Sequence, residues 1–159
     1  GGDWSHNRII PDAVRSIVSQ NYLEVRNPYS IRPWMHVLDI INGYLQLAKH
    51  IFEEGSAGFN GAYNFGPDKG SCSVDMVLTE LSRHLDFYWT KSEPILKLKE
   101  NTSLCLNSQK ARSQLGWRPA FNFFQMIAET AQWYQSFLDN KDMNELSRRQ
   151  LATFFGSSR

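Results

Sequence analysis

The apolar positions along the chain change period several times, and each change marks an element. Residues 1–9 read as a loop in which Trp4, set among glycines and polar residues, has little to bury it. Pro11 suits the first turn of a helix, where its missing N–H loses no partner. Ile10, Val14, Ile17 and Val18 then share a face at helical spacing. Residues 22–25 form a short strand candidate. Pro28 and Pro33 hold 26–33 in a loop or irregular hairpin, since each restricts its predecessor as well. From Met35 or Val37 to Glu54 the period is helical again. Val37, Leu38, Ile41, Tyr44, Leu45, Ala48, Ile51 and Phe52 make a wide stripe with Ile40 and Leu47 off it, which predicts a helix buried on more than one side and stopped by Gly55.

Downstream the elements shorten. A turn at 58–61 leads to a strand candidate at 62–65 that ends at Gly66-Pro67. Ser71 or Ser73 is placed to cap a helix reaching about His84, and 87–89 and 104–106 read as strands. Asn107 or Ser108 caps a short helix that Gly116 stops. Asn122 and Gln125 have the spacing of a capping box ahead of Phe124, Ile127, Ala128, Ala131, Tyr134 and Leu138, and Asp142 with Glu145 repeats that spacing before a polar last helix. Helices and short strands alternate without internal repeats, which predicts a mixed, helix-rich α/β fold. Residues 1–140 read as the main portion and 141–159 as a C-terminal helix and tail.

Composition narrows the function classes. A chain of 159 residues has room for one domain with a proper core. A formal net charge of +1 supplies no broad basic field, so no nucleic-acid partner is expected. No apolar run approaches a membrane span and no leader pattern opens the chain, so a cytoplasmic protein without a membrane partner is expected. Cys72 and Cys105 are isolated thiols, which suits a reducing compartment. His6, His36, His50 and His84 lack partners at ligand spacing, so no metal site is predicted.

The densest chemistry lies in Arg26-Asn27-Pro28-Tyr29-Ser30-Ile31-Arg32-Pro33-Trp34-Met35-His36-Val37, where guanidiniums sit in a loop that cannot be helical. Arg presents a rigid fork of donors that matches phosphate in two places at once. Gly1-Gly2-Asp3-Trp4 and Arg8-Ile9-Ile10-Pro11-Asp12 precede this segment. Ala62-Tyr63-Asn64-Phe65-Gly66-Pro67, Ser108-Gln109-Lys110-Ala111 and Leu115-Gly116-Trp117-Arg118-Pro119 follow it. In this order the set resembles the C-terminal, substrate-binding half of the extended short-chain dehydrogenase/reductases that act on nucleotide sugars, most of all the CDP-glucose 4,6-dehydratases. The resemblance covers about residues 1–138.

The resemblance implies a Rossmann-type enzyme using NAD, with a Gly-rich turn and a Tyr four residues before a Lys as its cofactor and proton-transfer elements. This sequence has neither: Tyr22, Tyr29, Tyr44, Tyr63, Tyr88 and Tyr134 are followed at that distance by Arg26, Pro33, Ala48, Pro67, Ser92 and Leu138. With no initiator Met either, the chain is expected to be a fragment of an NAD enzyme of deoxysugar biosynthesis, binding no NAD itself and catalytically silent alone. In similar enzymes the hexose is oxidised at C4, loses water across C5–C6 and is reduced at C6. The partner so implied is a nucleotide-diphosphate sugar, CDP-glucose first. The expected contacts are Arg32 and Asn64 on the diphosphate, Arg8 near the nucleotide, and Leu23, Val25 and Arg26 along a strand beside the base. Ordinary packing explains Leu23 and Val25 equally well, and a surface ion pair or a turn bond would account for the others. Two departures from the family pattern bear on sugar preference: Leu96-Lys97-Leu98-Lys99-Glu100, where a His-rich or Arg-bearing segment is usual, and Asn107, where an Asp is. A UDP- or GDP-sugar epimerase or decarboxylase is the neighbouring alternative. A non-catalytic assembly module is another, because residues 37–54 would expose an apolar face that pairs with a missing N-terminal half or a second copy.

Overall fold

The computed structural model describes residues 2–68, 71–92 and 101–156. Its elements run α1 (Ile9–Ser19), β1 (Leu23–Val25), β2 (Ile31–Arg32), α2 (Val37–Glu54), a 3-10 turn (Ser56–Gly58), β3 (Cys72–Ser73), α3 (Val74–Leu81), β4 (Trp89–Lys91), α4 (Gln109–Leu115), α5 (Phe123–Leu138) and α6 (Met143–Gly156). The fold is mixed α/β and rich in helix, as expected. The segment 96–100 singled out above lies outside the described residues.

One core joins α1, β1, α3, β4 and α5 through Ala13, Val14, Val25, Val77, Leu78, Leu81, Ile127 and Tyr134, all buried. On α1, Ala13 rather than Val18 completes the inward stripe. The stripe is centred near Ile10 and Ile17, which leaves Val18 about a quarter turn away and 68% exposed. β1 pairs with β4 in parallel, Leu23 opposite Trp89 and Val25 opposite Lys91, two residues beyond the strand expected at 87–89.

The proline-bounded segment is more ordered than a loop. Its turn closes from Ser30 N–H to the Asn27 carbonyl, and the Pro28 and Ser30 carbonyls accept from the Asp75 and Val74 amides. The open N–H groups of α3 are thereby satisfied by the turn, and Ser73, the expected cap, makes no side-chain cap bond. β2 pairs antiparallel with β3. On its other side Ile31 donates to the Thr102 carbonyl and accepts from Leu104 N–H. Residues 104–106 themselves are not a strand, because the pairing with β2 stops at a single parallel bridge, Ile31 to Ser103, and 62–65 join no ladder among the described residues.

A second core, Phe65, Ala111, Leu115 and Trp117, lies under α2 and takes in Ile40 and Leu47. α2 therefore faces inward on the side of Leu38, Asp39, Gly43 and Leu47. Apart from Leu38, which is buried, the stripe expected to be inside points outward: Val37, Ile41, Tyr44, Leu45 and Phe52 are exposed, Phe52 at 91%. Burial on more than one side is thus not found among the described residues. Gly43 allows the close approach on the inner side, since a Cβ there would stand 2.6 Å from the Phe65 ring. Asp39 ties this face to the corner after α4: its backbone carbonyl accepts from Trp117 Nε1 at 3.1 Å and its Oδ1 from the Ala120 amide at 2.6 Å. Gly116, at φ 65°, ends α4 in the left-handed conformation and turns Trp117 into the core.

The capping box at Asn122 and Gln125 forms as expected. Asp142 accepts from the Asn144 and Glu145 amides to open α6, which lies on α5 through Gln150 to the Glu129 carbonyl and Phe154 to Phe121. Trp4 is not idle in its loop. It packs against Tyr134 and Phe137 of α5, and Arg15 clamps the loop by donating to the Trp4 and Ser5 carbonyls.

Asp39→Ala is expected to lower unfolding free energy by about 1–3 kcal/mol, the cost of an unpaired donor, whereas Asp39→Asn, which keeps the acceptor, should lose clearly less. Urea unfolding of the two variants checks this.

Candidate ligand cleft

Three guanidiniums converge where β1 ends, β2 begins and α1 starts. Arg8 is the N-cap of α1 in extended conformation and its side chain has no acceptor, so the Ile9 and Ile10 amides take no side-chain cap, while Pro11 has no N–H to offer. Arg26 directly follows β1, and Arg32 lies in β2. Together with Glu24, Asn27 and Asp12 they line a cleft of about 420 Å³. A larger hollow of about 650 Å³ shares Arg8 and Arg32 and continues over Trp34, His36, Met126 and Tyr134.

The charges here are only partly spent. Arg32 Nη1 donates to the Ile31 and Asn101 carbonyls, which pins the side chain without neutralising it. Asp12 is taken by Arg15. The Asp3 carboxyl is held below its usual range first by hydrogen bonds from Ser5, with Arg8 and Arg15 adding to it. No ion pair among the described residues consumes Arg8, Arg26 or Arg32. Open helix amides plus unpaired guanidiniums make a place for an anion with several phosphate oxygens.

Of the residues expected to bind ligand, Arg8, Arg26 and Arg32 are brought to this cleft. Val25 borders it, but at 4% exposed its side chain belongs to the core, as does that of Leu23 at 6%. Asn64 does not line the cleft; its amide donates to the Asn107 carbonyl at 3.4 Å. Asn107 in turn accepts from the Gln109 amide and serves the start of α4. Trp34 donates to the Cys72 carbonyl and borders the larger hollow, whereas Trp117 is fully buried and packs. Glu24 was not singled out by sequence, although strand alternation between Leu23 and Val25 already puts it on the outer face.

Besides Asp3, the hollow carries two more shifted groups. Tyr134 is pushed up to about 12 mainly by burial, and its hydroxyl donates to the Asp3 carbonyl at 2.7 Å. His36, 4% exposed, is lowered to about 4 by burial. Its Nδ1 accepts from Leu38 N–H, so the proton sits on Nε2, and the ring stands edge-on to Phe121 at 5.0 Å. Among the described residues no three His, Cys, Asp or Glu side chains are placed to hold a metal ion, and no helix is long and apolar enough to cross a membrane. No strand-to-helix junction carries the glycine-rich turn that dinucleotide pyrophosphate needs, so no NAD-dependent step is derived for these residues.

No protein-family model matches the chain. A CDP-glucose 4,6-dehydratase of Salmonella typhimurium is 32% identical over 164 residues, which span 99% of this chain and 44% of that protein. The chain aligns with the C-terminal part of the nucleotide-sugar short-chain dehydrogenase/reductases. A UDP-glucose 4-epimerase of Halalkalibacterium halodurans in this family is 26% identical over 66% of the chain and 30% of the relative. The chain spans less than half the length of these curated relatives. The fold is shared with a dTDP-glucose 4,6-dehydratase from Streptomyces venezuelae solved with NAD and TYD, at TM-score 0.69 and 21% identity over 89% of this chain and 43% of that one. A UDP-glucose 4-epimerase from Stenotrophomonas maltophila, solved with NAD and formylated UDP-arabinopyranose, gives TM-score 0.72 at 12% identity over 88% and 43%.

The depressed value at His36 sets a pH dependence. Its imidazole is neutral in the fold and gains a proton on unfolding, so its stabilising share is complete above the ordinary value of 6.5 and is lost as pH falls towards about 4. The burial-raised carboxyl of Asp39 acts with the opposite sign, favouring the fold as acid protonates it. His36→Asn keeps a capping acceptor and should flatten the fall in stability between pH 6.5 and 4 seen for the wild type in urea unfolding.

Proposed function

We propose that the chain is the substrate-side portion of an NAD-dependent nucleotide-sugar 4,6-dehydratase, with CDP-glucose as the favoured substrate, and that its share is to hold the nucleoside diphosphate. The observation that carries this reading is the meeting of Arg8, Arg26 and Arg32 on one cleft beside the open start of α1. The 32% identity to a CDP-glucose 4,6-dehydratase supports it. Phosphate oxygens take two-point bonds from Arg26 and Arg32 and amides from α1, and the hexose then extends over the hollow towards Trp34 and His36. Hydride chemistry belongs to NAD in the whole enzyme. These residues supply binding and orientation only, so the chain alone does not convert CDP-glucose.

Calorimetric titration with CDP and UDP tests this. CDP should bind saturably, and Arg8→Ala or Arg26→Ala should each weaken it by about 1–3 kcal/mol, the scale of a hydrogen bond to a charged group. Arg32→Lys is the better variant at 32, because Arg32→Ala also frees the Ile31 and Asn101 carbonyls. A folded chain that binds neither nucleotide, or one that converts CDP-glucose unaided, overturns the reading.

A second role, as an assembly surface, rests on the outward stripe of α2. Val37, Ile41, Tyr44, Leu45 and Phe52 form a contiguous exposed apolar face that a whole enzyme would cover with its other half. The isolated chain is therefore expected to self-associate as concentration rises in sedimentation velocity, and Leu45→Glu combined with Phe52→Glu should keep it monomeric. A wild type that stays monomeric throughout removes this second role.

A further inference from the structure

Glu24 is a carboxylate in a cleft built for an anion. Its neighbours on β1, Leu23 and Val25, are 6% and 4% exposed and point into the core, while Glu24 is exposed on the opposite face and lines the cleft with Arg8, Arg26 and Arg32. The other carboxylate there, Asp12, is engaged by Arg15. Among the described residues Glu24 enters no ion pair. An unpaired carboxylate repels phosphate and lowers affinity for any bare anion. Its presence is useful only to a ligand that turns a hydrogen-bond donor towards it while the arginines take the phosphates.

The inference rests on the nucleoside-diphosphate reading above. Among pyrimidines, cytosine projects an exocyclic amine from its C4 edge, a donor that glutamate and aspartate accept well. Uracil presents a carbonyl oxygen at that place, and its imino N–H lies between two carbonyl oxygens that a carboxylate repels. We propose that Glu24 is the specificity-determining residue of the cleft, accepting a hydrogen bond from the N4 amine of cytosine and so favouring cytidine over uridine diphosphates.

The test is the ratio of CDP to UDP affinity, by calorimetry, in the wild type, Glu24→Gln and Glu24→Lys, with circular dichroism showing that each folds. The wild type should favour CDP by about tenfold, within the range for discrimination by one good base contact. Glu24→Gln, which offers an acceptor and a donor, should bring the ratio near parity. Glu24→Lys should shift it towards UDP, because an ammonium donates to the uracil oxygen. A ratio that Glu24→Gln leaves unchanged overturns the inference, as does a wild type without preference. Equal weakening of CDP and UDP overturns it too, since that is the mark of a carboxylate on ribose hydroxyls. In each of those cases the diphosphate reading stands; a folded wild type that binds neither nucleotide overturns that reading and this inference with it.

Discussion

The turn between Asn27 and Ser30 is the constraint from which the cleft follows. Pro28 and Pro33 forbid helix on both sides, and the turn's carbonyls are instead consumed by the first amides of α3. That seats α3 under the segment and leaves Arg26 and Arg32 on the two limbs of one bend. β2 is then stapled on both sides, by β3 and by the Thr102 and Leu104 backbone. A guanidinium on such a braced strand loses less freedom on meeting a phosphate than one on a mobile loop, so rigidity upstream of Arg32 becomes affinity.

α2 shows how a sequence can predict a helix and misplace its inside. Both of its faces are apolar, and the stronger stripe is the one left outside. The inner face carries Asp39 and Gly43, which no hydrophobic pattern would nominate. Gly43 lets the Phe65 ring approach, and Asp39 ties α2 to Trp117 and Ala120. Two-sided apolarity of this kind is the pattern of a helix between two layers. Here one layer, the Phe65–Trp117 cluster, lies within the described residues.

Much of the rest was legible. Several helix bounds followed from capping residues at Asn122 and Asp142 and from stops at Gly55 and Gly116, all of them local signals, whereas the His36 cap of α2 went unread. Strands at 62–65 and 104–106 were misread because a strand exists only by its partner, and pairing across many residues leaves no local mark. The site was half legible. Arg8, Arg26 and Arg32 stand in distinct segments, and the resemblance placed them together before the coordinates did. Asn64 was assigned by the same route, yet its amide is occupied by the Asn107 carbonyl. Glu24 went unnoticed because one exposed acid in a strand has no signature until the cleft around it is known.

The titratable groups of the hollow explain why binding, not chemistry, is the share argued for these residues. Tyr134 has its hydroxyl committed to the Asp3 carbonyl and a value far above neutral. His36 is neutral, with Nδ1 capping α2 and Nε2 buried without a hydrogen-bond partner among the described residues. Asp39 is buried beneath the Trp117 corner and spends its carboxylate on a backbone amide. A general acid or base needs a value near the working pH and a free path to the proton it moves. Each of these groups fails on at least one count, and each fails because it is holding the fold together. What lines the smaller cleft is charge that enters no ion pair among the described residues, the guanidiniums of Arg8 and Arg26, the pinned fork of Arg32 and the Glu24 carboxylate. Permanent charge orients a phosphate without exchanging a proton with it, which is why the share proposed above for these residues is binding.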